Sequence, residues 1–301
     1  MTFLKRLTQR RPVLLDGATG TELNRRGVNT DLPLWSARAL LEAPDVLRQI
    51  HVDYVRAGAE VLTANTFRTH RRSLARAGLG DQALPLTLHA VGLAREAARS
   101  AEAGRQCFVA GSLAPLEDCY SPELVPPQAE CEREHAEMAR HLASAGVDVI
   151  LVETMNTIRE AVAATRAARA TGLPVLASVV CRSDHRLFSG ERVSEAVSAL
   201  AGLGVAGLLV NCTPSASIQH PFGELRAAVQ DCDARVPLLG LYANIGHTDD
   251  ITGWTNTEDV TPLEYAQLAS GWLAQGANLV GGCCGTTPSH IAAVRVIFNQ
   301  P

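Results

Sequence analysis

The chain has 301 residues, of which 47% are hydrophobic and 19% are charged, and its formal net charge is −4. This composition is that of a globular protein that can bury a large core. The mild acidity gives no support for nucleic acid or an anionic membrane surface as a partner. No apolar run approaches the roughly 20 residues that a membrane span needs.

The cysteines and the N-terminal segment predict the compartment. Residues 1–16 include basic side chains but lack the long apolar segment of a signal peptide. Eight cysteines in a chain without a secretory signal favour free thiols in a reducing cytoplasm. We therefore expect a cytoplasmic protein that acts on small molecules, and its oligomeric state stays open.

Eight short apolar runs recur along the chain and predict eight strands. They are mostly continuous rather than alternating, as expected of strands that are buried on both faces. In chain order they read VLLD (13–16), EVLTANT (60–66), CFVAGSL (107–113), VDVILVE (147–153), PVLASVV (174–180), AGLLVN (206–211), PLLGLYA (237–243) and ANLVGG (277–282).

Helical stretches separate these runs. Residues 129–146 are amphipathic and end at a glycine, the residue preferred just after a helix. Residues 261–277 begin with Thr261 as N-cap, Pro262 at the first helical position and Glu264 completing a capping box. The other helices are expected at 43–59, 82–104, 157–171, 191–203, 217–230 and 287–298.

Eight strand–helix units in about 300 residues, without a break in composition, predict a single (β/α)8 barrel domain over residues 1–301. A doubly wound open sheet shares the same rhythm and is the alternative. In a barrel the active site lies at the C-terminal ends of the strands. The predicted ends carry two carboxylates, several amides and hydroxyls, and thiols, namely Asp16, 64–67, 111–115, Glu153, Cys181, 211–212, 242–244 and 283–284.

The adjacent Cys283 and Cys284 favour a metal site. Their Cα atoms lie about 3.8 Å apart, below the usual disulfide range of roughly 4.4–6.8 Å. The flanking glycines indicate a turn at which both sulfurs point to one side, and two such thiolates suit a soft metal. Cys212, Cys181 and Cys119 are candidates for a third ligand, and Cys212 is favoured because the sixth strand lies two strands from the eighth.

Two other residues could bind a metal as an i, i+4 helix pair. Cys131 and His135 lie within the strongly charged stretch AECEREHAEM. We expect them to occupy a solvated helix face instead. The remaining histidines lack zinc-protease spacing and are expected to be non-catalytic.

The motifs DGATGTEL, ANTF, GSLAP, ETM, NC and GGCCGTTP, in this order over residues 12–298, resemble the homocysteine S-methyltransferase family. The resemblance implies a zinc-dependent barrel that methylates the sulfur of homocysteine to give methionine. It implies Cys212, Cys283 and Cys284 as zinc ligands. It also implies that Asp16 and Glu153 contact the substrate's amino end, whereas capping of a following helix is their alternative role.

Several other residues are expected near the substrate. Backbone N–H groups after the first and eighth strands would bind its carboxylate. Side-chain hydrogen bonds are expected from Asn65, Thr66 and Ser112, for which a structural role is equally open. Asn211 and Asn244 are expected to orient the zinc site.

The methyl donor is open between S-methylmethionine, S-adenosylmethionine, betaine and methyltetrahydrofolate acting through cobalamin. Trp35 lies after the first strand, where an aromatic face could hold a sulfonium cation, and LWSA (34–37) resembles the S-methylmethionine-using members. Residues 182–190 depart from the family pattern. A corrinoid route would need a separate partner, and the C-terminal extension of betaine-specific relatives is not seen.

A phosphate-binding barrel enzyme and a non-catalytic zinc or redox-sensing barrel are the competing classes.

Overall fold

The computed structural model describes residues 1–9, 11–100, 105–232, 235–249, 253–255 and 260–298. Its strands, in chain order, are β1 (Val13–Leu14), β2 (Val61–Ala64), β3 (Phe108–Leu113), β4 (Val149–Met155), β5 (Val175–Val180), β6 (Gly207–Pro214), β7 (Leu238–Asn244), β8 (His247–Asp249), β9 (Gly253–Thr255) and β10 (Leu279–Gly282). Strands β8 and β9 pair antiparallel as a separate hairpin, and the other eight correspond to the eight predicted strands.

The eight strands form one parallel sheet in the order β1-β10-β7-β6-β5-β4-β3-β2. A parallel bridge between Leu15 and Val61 joins the two ends of this order. The Asp16 N–H donates to the carbonyl of Val61 at 3.0 Å across the same junction. The sheet therefore curls into a (β/α)8 barrel, and the open-sheet alternative is wrong.

Helices surround the barrel, and none of those described combines the length and apolar character needed to cross a membrane. They are α1 (Phe3–Leu7), α2 (Gly20–Arg25), α3 (Ala39–Glu42), α4 (Pro44–Ala57), α5 (Arg71–Ala75), α6 (Ala83–Arg99), α7 (Gln128–Ser144), α8 (Ile158–Arg169), α9 (Val193–Leu200), α10 (Gln219–Asp231), α11 (Pro262–Ala274) and α12 (Pro288–Phe298). Short 3-10 helices lie at 35–38, 80–82, 122–124 and 201–203.

Local sequence signals set several helix ends as expected. Thr261 accepts from the N–H of Glu264, and the Glu264 carboxylate accepts from the N–H of Thr261. This capping box begins α11. Helix α7 ends at Ser144, and Gly146 adopts the left-handed φ of 75° that glycine tolerates best.

The core has two layers, one between the sheet and its helices and one inside the barrel. The interior layer includes Phe3 of α1, whose ring lies 5.5 Å from that of Phe108 at the start of β3. Helix α1 therefore packs at the N-terminal mouth of the barrel. The opposite mouth, at the C-terminal strand ends, is the one left for a site.

The expected solvated face for Cys131 and His135 is wrong. Both side chains are fully buried on α7, and His135 Nε2 lies 3.1 Å from the carboxylate of the buried Glu160 on α8. They share an inward stripe with Met138 and Leu142. Charged residues lie between these positions, and the polar His135 does not count as apolar in a hydrophobic pattern. The buried stripe was therefore not visible from the sequence.

Candidate active site

A cavity of about 550 Å³ opens at the C-terminal strand ends. Its wall includes Asp16 after β1, Glu153 of β4, Cys212 of β6 and the Cys283-Cys284 pair after β10. Residues separated by most of the chain therefore meet at the end of the barrel where active sites lie.

Three thiols converge on this cavity. The Sγ atoms of Cys212, Cys283 and Cys284 all lie within 4.8 Å of one another, and among the described residues this is the one group of three or more potential metal ligands. Cys119 also lines the cavity but stands outside the group. Cys181 is buried elsewhere, in a bridge to Leu187.

A turn after β10 brings the neighbouring cysteines to one side. Gly285 has a φ of 82°, and the Thr286 N–H donates to the carbonyl of Cys283 at 3.1 Å. A Cβ on Gly281 would lie 2.5 Å from Leu15 Cβ, and one on Gly282 would lie 2.3 Å from Thr286 Oγ1. Both glycines are therefore required by the close approach of β10 to β1 and to its own turn.

Irregular backbone positions the groups on β4 and β6. The pairing register shifts within 152–155 of β4 and within 211–214 of β6. Thr154 and Cys212 adopt left-handed φ values of 60° and 51°. Such conformations are rare in residues other than glycine and cluster at functional sites. These bulges aim Glu153 and Cys212 into the cavity.

Hydrogen bonds concentrate negative charge on Cys212. The Asn244 amide donates to its Sγ at 3.7 Å, and the Tyr120 hydroxyl lies 3.3 Å from the same sulfur. Hydrogen bonds from the thiols of Cys283 and Cys284 lower its pKa well below the usual range and raise the pKa of Cys283 and Cys284. Three neighbouring sulfurs, among which Cys212 is favoured as the thiolate, suit a soft metal cation.

Asp16 is a buried carboxyl held by Thr63. Its two oxygens accept hydrogen bonds from the Thr63 N–H at 2.7 Å and the Thr63 hydroxyl at 2.9 Å. Burial nevertheless raises the pKa of Asp16 to about 7, with a smaller contribution from the charge of Glu153. A cationic ligand would favour its ionised form.

Glu153 is the second buried carboxyl. It accepts hydrogen bonds from the hydroxyl of Ser112 and, at 3.0 Å, from that of Tyr242. Burial raises its pKa to about 7 despite these hydrogen bonds. Neither carboxyl caps a helix, because Thr19 and Thr157 occupy the N-cap positions of α2 and α8.

The remaining polar residues predicted from the sequence differ in the groups to which they form hydrogen bonds. The Asn65 amide donates to the carbonyl of Ser36 at 2.8 Å, and the Thr66 hydroxyl donates to the carbonyl of Ser112 at 2.9 Å. The Asn211 side chain bonds Thr154 and Ser178. Asn65 also lines the cavity. Thr66 and Asn211 use their polar atoms to hold strand ends together, and Asn244 is the amide that reaches a thiol.

Trp35 lies on the cavity wall, as expected for a residue after the first strand. Its ring lies 5.4 Å from that of Phe67 in an edge-to-face arrangement. A Cβ on Gly20 would lie 2.4 Å from the Trp35 ring, so α2 packs tightly beneath it.

Sequence reasoning did not single out Thr63, Tyr120 or Tyr242 as site residues. Tyr242 stands in the YAN stretch at the end of the seventh strand, which was a usable signal. Thr63 lies inside a strand, and Tyr120 lies in the long segment after β3. Nothing local in the sequence indicates that either contacts Asp16 or Cys212.

These features define a class of (β/α)8-barrel protein in which three thiols and two buried carboxyls face one cavity. The family model described as homocysteine S-methyltransferase matches residues 13–298. The chain therefore belongs to the homocysteine S-methyltransferase family of enzymes.

Full-length relatives agree with this assignment. The chain is 32% identical to a homocysteine S-methyltransferase of Escherichia coli, over 94% of each chain. It is 28% identical to a selenocysteine methyltransferase of Astragalus bisulcatus, over 96% of this chain and 93% of that one. The solved metallated form of the homocysteine methyltransferase of Escherichia coli superposes with a TM-score of 0.82 at 30% identity, over 97% of this chain and 98% of that one.

Proposed function

We propose that this chain, acting as a single domain over residues 1–301, transfers a methyl group from a sulfonium donor to the sulfur of L-homocysteine, giving methionine. S-methylmethionine is the first candidate donor and S-adenosylmethionine the second. The cofactor is Zn²⁺. The observation that carries the proposal is the convergence of three thiols and two buried carboxyls on one cavity.

The donor set fits zinc. Cys212, Cys283 and Cys284 would hold the ion, and their Sγ atoms within 4.8 Å of one another compare with about 3.8 Å between sulfurs of a tetrahedral site with bonds near 2.3 Å. Three protein ligands are typical of a catalytic zinc site that keeps one position for substrate. When bound, the ion would stabilise the substrate sulfur as a thiolate near neutral pH. The metallated form of the Escherichia coli relative supports a metal here.

The buried carboxyls bind the ammonium group of homocysteine. Thr63 orients Asp16, and Ser112 with Tyr242 orients Glu153. Because both carboxyls have a pKa of about 7, a bound ammonium draws them toward the ionised form and gains two charge-assisted hydrogen bonds. Backbone N–H groups of the loop after β1, which lines the cavity, would receive the carboxylate.

The transfer is a displacement at carbon. The homocysteine thiolate, whose proton has passed to solvent, attacks the methyl carbon of the donor in line. The bond between that methyl and the donor sulfur breaks, and its electron pair stays on the donor sulfur. The donor leaves as a neutral thioether, and homocysteine becomes methionine. The rings of Trp35 and Phe67 on the cavity wall suit the sulfonium cation before transfer.

Zinc analysis and a donor comparison test the proposal. Protein purified under reducing conditions should contain about one zinc per chain, as expected for one three-ligand site. Cys212→Ser should lose it, whereas the control Cys181→Ser, outside the thiol group, should keep it. Methionine should form from homocysteine with S-methylmethionine, and more slowly or not at all with S-adenosylmethionine.

Other outcomes separate the alternatives. Zinc retained in Cys212→Ser would remove that residue from the metal site. Methylation by betaine alone, or only with a corrinoid partner, would replace the sulfonium donor. Zinc binding without methylation from any donor would indicate a storage or redox-sensing barrel.

A further inference from the structure

Arg68 is a partly buried cation on the cavity wall, and none of the described residues offers it a carboxylate partner. It follows β2 and lines the cavity. Its Nε is buried and has no hydrogen-bond partner among the described residues, and its Nη1 lies 3.4 Å from the Ser73 hydroxyl, a long hydrogen bond. Within the described part of the chain, no carboxylate lies at ion-pair distance from it.

The neighbouring arginines are different. Arg71 and Arg76 form ion pairs with Glu137 and Glu117, and Arg72 is held by several glutamates, namely Glu117, Glu130 and Glu134. Acidic side chains are therefore plentiful around α5, yet Arg68 receives none of them. An unpaired guanidinium in a partly desolvated position costs free energy unless an anion binds it.

Burial also lowers the pKa of Arg68. Arginine stays protonated in proteins, so the group remains a fork of N–H donors suited to a carboxylate. The side chain also lines the cavity. The ligand expected there is therefore an organic anion that also fits the cavity.

The surroundings of Arg68 indicate which anion. Its Cζ lies 5.7 Å from the centroid of the Phe67 ring. The centroids of the Phe67 and Trp35 rings lie 5.4 Å apart. The cavity wall thus carries a guanidinium next to two aromatic rings. An amino-acid sulfonium matches this combination, because a short carbon chain separates its cationic sulfur, which suits the rings, from its carboxylate, which suits the guanidinium.

The carboxylate of homocysteine fits this position less well. That carboxylate shares a carbon atom with the ammonium group, which the proposed function places at Asp16 and Glu153. Within the described residues, no hydrogen bond or ion pair joins Arg68 to Asp16 or Glu153, whose partners are Thr63 and Ser112 with Tyr242. Arg68 is therefore a polar group of the cavity separate from the two carboxyls.

We propose that Arg68 binds the α-carboxylate of the methyl donor and thereby selects amino-acid sulfonium ions. This inference rests on the proposed function, since it assigns the second substrate of the same reaction. It makes Arg68 a specificity-determining residue that acts on the donor and leaves the acceptor unaffected.

The test compares two donors that differ by one carboxylate. These are S-methylmethionine and its decarboxylated counterpart, (3-aminopropyl)dimethylsulfonium. In Arg68→Gln, kcat/KM for S-methylmethionine should fall about 10- to 100-fold, mainly through KM, because a charge-assisted bidentate contact is lost. The value for the decarboxylated donor should change less than about threefold, since it makes no such contact.

Two further variants support the comparison. Arg68→Lys keeps the charge without the fork and should fall between wild type and Arg68→Gln. Arg56→Gln, an exposed arginine on α4, is the control and should behave as wild type with both donors. Homocysteine affinity, measured by calorimetry without donor, should be the same in all four proteins and shows that each is folded.

Three results would overturn the inference. An equal loss with both donors would show that Arg68 only supports the local structure. A selective loss of homocysteine affinity would assign Arg68 to the acceptor. If none of the donors supports methylation by the wild-type protein, the proposed function fails. Calorimetric binding of S-methylmethionine then tests Arg68 separately. Equal affinity of wild type and Arg68→Gln for S-methylmethionine would contradict the inference.

Discussion

Burying two ionised carboxyls in one cavity costs free energy unless a cation binds beside them. Asp16 and Glu153 both accept hydrogen bonds, from Thr63 and from Ser112 with Tyr242, and burial still raises the pKa of each to about 7. The hydrogen bonds orient the carboxyls but do not replace the lost water. In the proposed function, a bound ammonium group would compensate for this burial.

Asp16→Asn should change how stability depends on pH. The folded pKa of about 7 exceeds the ordinary 3.8, so the protonated form favours folding. This contribution is complete below pH 4 and is lost as the pH rises through 7. The amide introduced by the substitution can still accept from the Thr63 N–H and donate to its hydroxyl. We expect the variant to gain about 2–4 kcal/mol relative to wild type between pH 4 and pH 8.

Urea unfolding of both proteins without ligand, at several pH values, measures this difference. Taking the difference cancels the other titrating groups. A difference that stays constant between pH 5 and pH 8 would contradict the raised pKa of Asp16.

At the scale of elements, the end of β10 and its turn decide where two thiols point. Thr286 holds this turn, since its hydroxyl donates to the carbonyl of Cys283 at 2.7 Å and accepts from the Ala18 N–H at 3.2 Å. Moving this side chain aside for a new neighbour would break both hydrogen bonds. The glycines before the cysteines therefore help to fix the positions of both thiols.

Gly282→Ala should destabilise the protein by about 2 kcal/mol or more, because its methyl group would overlap the fixed Thr286 side chain. It should also lower the zinc content. Gly271→Ala is the matched control. Gly271 lies exposed in α11 with nothing within 4 Å of an added Cβ, so alanine should stabilise the helix by about 0.5–1 kcal/mol. Urea unfolding and metal analysis measure both effects, and equal stabilities would contradict the close packing.

For the whole molecule, the thiol cluster links parts of the barrel wall that are distant in sequence. Cys212 lies near the end of β6, and Cys283 follows β10, with β7 between these strands in the sheet. A metal held by these residues would connect β6 with the turn after β10 at the C-terminal mouth of the barrel. Metal binding and folding are then coupled, since the unfolded chain has no such site.

Removal of the metal should therefore lower the melting temperature of the wild-type protein. A strong chelator under reducing conditions should reduce Tm by about 5 °C or more, which corresponds to a few kcal/mol of lost binding energy. Cys212→Ser should melt near the chelated value and respond little to chelator. Calorimetric melting of both proteins measures this effect, and an equal response in both would place the metal elsewhere.

Much of this protein follows from local patterns in the sequence. Continuous apolar runs such as 174–180 and the capping box at Thr261 depend on residues close together in the chain, so they predicted the barrel strands and the start of α11 correctly. The doublet Cys283-Cys284 was also visible, because a vicinal disulfide is unfavourable and a strand end is where barrel chemistry lies.

The contacts of individual side chains required the tertiary structure. From the residues alone, Cys212, Cys181 and Cys119 were all candidates to join the doublet, and only the fold shows which Sγ lies beside it. The hydroxyls of Tyr120 and Tyr242 reach Cys212 and Glu153 across 92 and 89 residues. Sequence periodicity predicts many buried faces, although it missed that of α7. The partner that a side chain meets depends on how distant elements pack, which no local pattern contains.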